Sequence, residues 1–228
     1  MAASPEAFEA PSLQRAWDQF LKNLGPLLVV TLVAFLFGSL AYISYNLFNV
    51  GVVAIAGEDN SSWSGVLAWI LGEAGRLPFT ILASFFGVLL AAVPAVYFAT
   101  GEPLTIGGAF ALLFARPWRY FFAGLLFSIV CGLGFVACVL PGLAVTFTYP
   151  IYVNRIFNTD QPILDAFSGS FQALYGNEKK WSFLGVQILF WLVIGVLSVC
   201  TCGGAAIVGI PLSAFYIQNY AYRVGMVS

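Results

Sequence analysis

A chain of 228 residues that is 61% hydrophobic and 8% charged, with a mean hydropathy of +0.92, is far from a soluble domain, where about 25% of residues are charged. Its long apolar runs favour helices over a membrane β-barrel, and the fold class is all-α and polytopic, in the membrane. A formal net charge of −1 leaves no basic field for nucleic acid, and the absence of histidine removes the commonest general base and the usual ligand of haem, zinc or copper.

The chain opens on "MAASPEAFEAPS", which lacks the basic start and short apolar core of a secretory signal. Residues 1–11 read as a disordered tail, and 12–228 as a single membrane domain. Six stretches are long and apolar enough to span: roughly 26–50, 78–99, 119–139, 141–157, 181–200 and 204–224. The turns "LPG" and "CTCGG" divide runs that would otherwise be overlong. Between the first two spans lies an insertion, about 51–77, with a polar part, "GEDNSSWSG", and an apolar part, "VLAWILGEAG", that carries Glu73. The apolar part is too short to cross and reads as an outer interfacial or re-entrant segment.

Three segments precede the odd-numbered spans: "SLQRAWDQFLKNL", "TIGGAFALLFARP" and "PILDAFSGSFQAL". Aligned on Ala16, Ala109 and Ala166, they place Leu13, Ile106 and Ile163, then Trp17, Phe110 and Phe167, then Leu21, Phe114 and Phe171 on one helical stripe. Each predicts an amphipathic helix lying in the membrane interface with its apolar face down. The even-numbered spans carry Pro94, Pro150 and Pro211, each seven or eight residues after a small residue (Gly87, Gly142, Gly204) and each followed by aromatics. The result is three repeats of interfacial helix plus hairpin, about 12–99, 102–157 and 162–225. The prolines predict helix kinks that could surround a central space; membrane helices also simply tolerate proline.

Orientation follows from the cations. Arg15, Lys22, Arg116, Arg119, Arg155, Lys179, Lys180 and Arg223 fall on one side and Arg76 on the other, so both termini are expected to be cytoplasmic. Arg116, Arg119, Lys179 and Lys180 either mark topology alone or contact anionic lipid headgroups, worth about 1 kcal/mol per residue near the surface.

Little else carries chemistry. There is no nucleophile–base pattern, phosphate loop or metalloprotease motif. "GLGF" at 132–135 reads as close helix packing. The cysteines Cys131, Cys138, Cys200 and Cys202 have no zinc spacing; they read as small apolar residues, or alternatively as a disulfide from Cys138 to Cys200 or Cys202. The acids fall in predicted loops, interfacial helices or the tail, which weakens ion-driven transport. Asp165 suits a helix N-terminus, and Asn46, Asn49 and Asn154 read as caps at span ends.

Four stretches, "LPGL" at 140–143, "YVNRIF" at 152–157, "DAFSGSFQALYGN" at 165–177 and the closing "AFYIQNYAYR", give residues 118–225 a pattern that resembles the membrane domain of glycerophosphoryl diester phosphodiesterases and the uncharacterised bacterial membrane proteins grouped around it. The resemblance implies a six-helix protein of the bacterial cytoplasmic membrane. Phosphodiesterase chemistry in that group belongs to a separate soluble domain, so that activity is not carried over. The expectation is therefore a non-enzymatic subunit or scaffold of a membrane assembly, with no cofactor. Its partners would be membrane lipids and other membrane-protein subunits or further copies of itself. The alternative is a carrier or channel for lipid or another hydrophobic molecule.

Overall fold

The computed structural model describes residues 3–56 and 62–227, and every regular element among them is helical. The polar loop of the expected insertion, 57–61, lies outside the described residues. After a short 3₁₀ turn at Pro5–Phe8 come α1 (Leu13–Lys22), α2 (Leu24–Ala56), α3 (Ser62–Gly87), α4 (Leu89–Thr100), α5 (Ile106–Ala115) and α6 (Pro117–Ala137). The chain continues through α7 (Val139–Phe147), α8 (Tyr149–Asn158), α9 (Ile163–Tyr175), α10 (Lys180–Cys200) and α11 (Gly204–Arg223). Four helical segments are long and apolar enough to cross a membrane: Leu24–Ala54, Trp63–Thr100, Pro117–Ala137 and Lys180–Cys200.

The expected single domain divides into two compact units, Val29–Val88 and the remainder. The smaller unit is a hairpin of α2 and α3. Its helices touch at glycines: a Cβ on Gly72 would sit 2.9 Å from the Tyr45 ring, and one on Gly75 would overlap the Phe48 ring. Ser44 Oγ donates to the Gly75 carbonyl at 2.9 Å, and the Phe37 and Phe86 rings stack at 5.6 Å. The segment expected to be a separate re-entrant piece, "VLAWILGEAG", runs without a break into the rest of α3. The second span was expected to begin at about residue 78, yet Pro78 lies inside α3. The helix persists because apolar surroundings leave a backbone group no water to turn to, so continued helix is the cheapest state even across a proline.

In the larger unit, α4, α8 and α11 pack on one another. Their shared core is aromatic: Phe98 lies edge-on to Phe215 and close to Tyr222, and Tyr97 lies edge-on to both Phe98 and Phe215. The hairpin of α6 and α7 closes where Gly134 meets Gly142; a Cβ on Gly134 would lie 2.9 Å from the Gly142 backbone. The "GLGF" reading as close packing therefore holds at Gly134 but not at Gly132, where a Cβ would meet nothing within 4 Å. The turn itself falls at Cys138, which is extended, so "LPG" lies within α7 and does not form the turn. In the α10–α11 connection the backbone reverses at Gly203, whose φ of 90° suits a residue without Cβ.

The tail expected to be disordered is packed. Ala7 is fully buried, and the Ser4 amide donates to the Phe98 carbonyl at 3.0 Å. The side chains of Asn219 and Tyr97 hold it there.

The three short helices expected before the odd spans are present as α1, α5 and α9. Ser12 and Thr105 cap the first two by accepting from the amides of Arg15 and Gly108. Asp165 stands in the first turn of α9, at the positive end of its dipole. Ala16, Ala109 and Ala166 are all buried, so the small residue of each helix is its contact with the protein. Leu13, Trp17 and Leu21 of α1, with Ile106 and Phe114 of α5, point outward. On α9 the equivalent stripe is partly covered, because Phe167 packs edge-on to Phe127 and Tyr152.

Candidate functional site: a charged pair in an apolar hairpin

Glu73 and Arg76 lie on α3, one turn apart. Arg76 Nε meets Glu73 Oε2 at 2.8 Å, and its guanidinium carbon stands 5.8 Å from the centre of the Tyr45 ring on α2. The pair is not confined to a loop or a separate interfacial piece, as the sequence suggested; it sits inside the apolar segment Trp63–Thr100. It lines a groove of about 710 Å³ with Tyr42, Tyr45, Thr80 and Ser84. The groove follows from local sequence. Gly72 and Gly75 draw α3 against Tyr45 and Phe48, beside the residues that line the groove. The Arg76 side chain is 47% exposed and that of Glu73 31%, so both charges remain open on one side. Tyr42 is exposed at the rim. Glu73 was legible as an acid and Arg76 as the one cation on its side. Their convergence on Tyr45 was not, since that needs the register of α2 against α3.

Three of the four cations expected to touch lipid headgroups, Arg116, Arg119 and Lys180, are engaged with helix ends. Arg116 pairs with Asp160, just beyond α8, and this contact holds the Asp160 carboxyl below the usual carboxylate range. Arg119 donates to the carbonyls of Thr159 at 2.9 Å and Ile156 at 3.4 Å, so both arginines sit at the negative end of the α8 dipole. Lys180 Nζ donates to the Tyr175 carbonyl at 3.0 Å, at the end of α9. Lys179 is exposed. Arg155, read as a topology marker, folds over α9, where a Cβ on Gly169 would lie 2.5 Å from its Nη1.

Of the three expected kinks, two lie inside helices. Pro94 and Pro211 are buried within α4 and α11. Pro150 is instead in the first turn of α8, where a missing N–H costs nothing, so the chain breaks there and restarts.

A second polar constellation joins the larger unit's core. Asn154 is buried and donates to Gln218 Oε1 and to the Tyr222 hydroxyl, both at 3.1 Å, while Gln218 Nε2 donates to the Pro150 carbonyl at 2.7 Å. Asn154 is thus a cross-helix link and not a cap at a span end. Asn158 Nδ2 donates to the Ala95 carbonyl at 3.0 Å and ties α8 to α4. These groups satisfy one another and complete the packing; none presents an activated nucleophile. All four cysteines are free, and Cys138, Cys200 and Cys202 are exposed, so they are not the buried apolar residues their composition suggested. Among the described residues no group of three or more His, Cys, Asp or Glu gathers at a metal-binding spacing.

No protein-family model, curated protein or solved structure matches this chain.

Proposed function

We propose that the chain is a non-enzymatic multi-pass membrane protein acting as a subunit or scaffold of a membrane assembly. The observation that carries this reading is the length of the hairpin. Helix α2 has 33 residues, about 50 Å at 1.5 Å each, whereas the hydrocarbon layer is about 30 Å thick. An ordinary tilt of about 20° shortens its projection by only about 6%. The surplus is apolar: Leu47, Phe48 and Val53 on α2 and Trp63 and Trp69 on α3 are exposed. Such a surface calls for cover, and a protein partner supplies it.

The larger unit favours the same reading over a carrier or channel. A carrier needs space where α4, α8 and α11 meet, and that place is filled by Tyr97, Phe98, Phe215 and Tyr222.

Within this proposal there are six spans, the broken pair α7–α8 and helix α11 joining the four apolar segments. The chain is a triplicate of interfacial helix plus hairpin. Supporting this, Ala16, Ala109 and Ala166 share the same burial, and the three proline-bearing helices are the ones that meet. The charge asymmetry supports cytoplasmic termini. The pattern resemblance of residues 118–225 implies the cytoplasmic membrane of a bacterium. The test is extraction in mild detergent with an affinity tag. Expected is a larger complex with a fixed second membrane protein, lost when Trp63 and Trp69 are both replaced by Ser. A monodisperse single chain carrying lipid would favour the carrier instead.

A further inference from the structure

We infer that the groove of Glu73, Arg76, Tyr42 and Tyr45 binds the zwitterionic headgroup of an ammonium-bearing phospholipid. Depth is the first support. Tyr42 and Tyr45 lie roughly 18 and 21 residues from the start of α2, about 27 and 32 Å along the helix. A span entering the bilayer at Leu24 therefore brings both tyrosines to the opposite headgroup layer, where amphipathic rings settle. Arg76 stacks on Tyr45, so the charged pair shares that level.

Charge complementarity is the second. The groove offers one anion and one cation 2.8 Å apart. A phosphate approaching Arg76 places a neighbouring ammonium within reach of Glu73 and of the Tyr42 and Tyr45 ring faces. An anionic headgroup satisfies Arg76 but meets Glu73 with like charge, so the site discriminates by repulsion as well as attraction. A pair needed only for mutual neutralisation would not require an open groove between two helices. Beside the charged pair the groove is also lined by Gly38, Ala41 and Ala83, a small apolar surface open to acyl chains. That commits the ligand to a lipid over a free head group. The inference rests on the bilayer-spanning placement of α2 and is independent of any assembly partner.

The experiment uses the full chain, delipidated in mild detergent, with native mass spectrometry and thermal melting as readouts. The probes are phosphatidylethanolamine, phosphatidylglycerol and free phosphoethanolamine. Expected for the unaltered protein is a preference for phosphatidylethanolamine over phosphatidylglycerol of about fivefold or more, the effect of one charge near a membrane surface. Glu73→Gln should abolish that preference, and Arg76→Gln should weaken binding of both lipids. Helicity and elution volume check that the variants fold. The preference of the unaltered chain decides the matter even if a variant does not fold. Equal retention of the two lipids, a preference unchanged in Glu73→Gln, or free phosphoethanolamine binding as tightly as the lipid would each overturn the inference. Because these readings are taken on the isolated chain, they stand or fall separately from the assembly proposal.

Discussion

Asn219 Nδ2 donates to the carbonyl of Ala7 at 2.9 Å, linking the last helix to the first turn of the chain; the same amide reaches the carbonyls of Glu6 and Glu9 at 3.3 Å. Tyr97 adds a second tie by donating its hydroxyl to Glu6 Oε2 at 2.8 Å. One buried amide thus ties the short 3₁₀ turn Pro5–Phe8 and the residue that follows it to α11. Asn219→Ala removes the side-chain partner of the carbonyl of fully buried Ala7, which should cost about 1–3 kcal/mol. Thermal melting in detergent should show the loss, and limited proteolysis should cut residues 3–11 first. Asn219→Asp should be worse, since a carboxylate cannot donate to carbonyls.

Asn154 and Gln218 join α8 to α11, so a double-mutant cycle on Asn154→Leu and Gln218→Leu should reveal coupling. Polar links between membrane helices average about 0.6 kcal/mol and reach about 1.7. A value near zero in a denaturation series would mean that the bond adds nothing to packing.

Gly132 and Gly134 provide an internal control for the α6–α7 hairpin. A Cβ at Gly134 meets Gly142 backbone at 2.9 Å, whereas one at Gly132 meets nothing within 4 Å. Gly134→Ala should cost about 1–3 kcal/mol by forcing the helices apart. Gly132→Ala should be neutral or slightly stabilising, and equal melting temperatures for the two would contradict the contact.

The Asp160 carboxyl is held low by the hydrogen bond and charge of Arg116. A group whose folded pKa lies below its unfolded value lends stability above the unfolded pKa and loses it as pH falls through the folded one. The pair should therefore open only in acid, below the ordinary carboxylate range. Titration of Asp160 by NMR should give a depressed midpoint that Arg116→Ala restores to normal. High salt should move it the same way, because both groups are exposed.

Lys179 is exposed in the turn before α10. In a chain whose four native cysteines are replaced, Lys179→Cys should stay unlabelled by a membrane-impermeant thiol reagent in intact cells and react after lysis. Labelling from outside would reverse the proposed orientation.

Composition alone determined that this is an all-helical chain with several membrane-length apolar segments. Helical periodicity located α1, α5 and α9, because a 3.6-residue stripe is a local property that needs no partner to be read. "GLGF" was legible as a close-packing stretch, because only a residue without Cβ admits another backbone at that distance, but that Gly134 and not Gly132 makes the contact was set by the α6–α7 register. Tertiary structure alone decided the rest. Pro78 continues a helix and Pro150 begins one, though both are prolines in apolar sequence; what differs is their place, in the middle of α3 and in the first turn of α8. The N-terminal tail looks too polar to fold, yet it is held by Asn219, more than 200 residues away. Glu73 and Arg76 look like stray charges until α2 lies beside α3 and sets Tyr45 against them, because a binding groove depends on the register between helices.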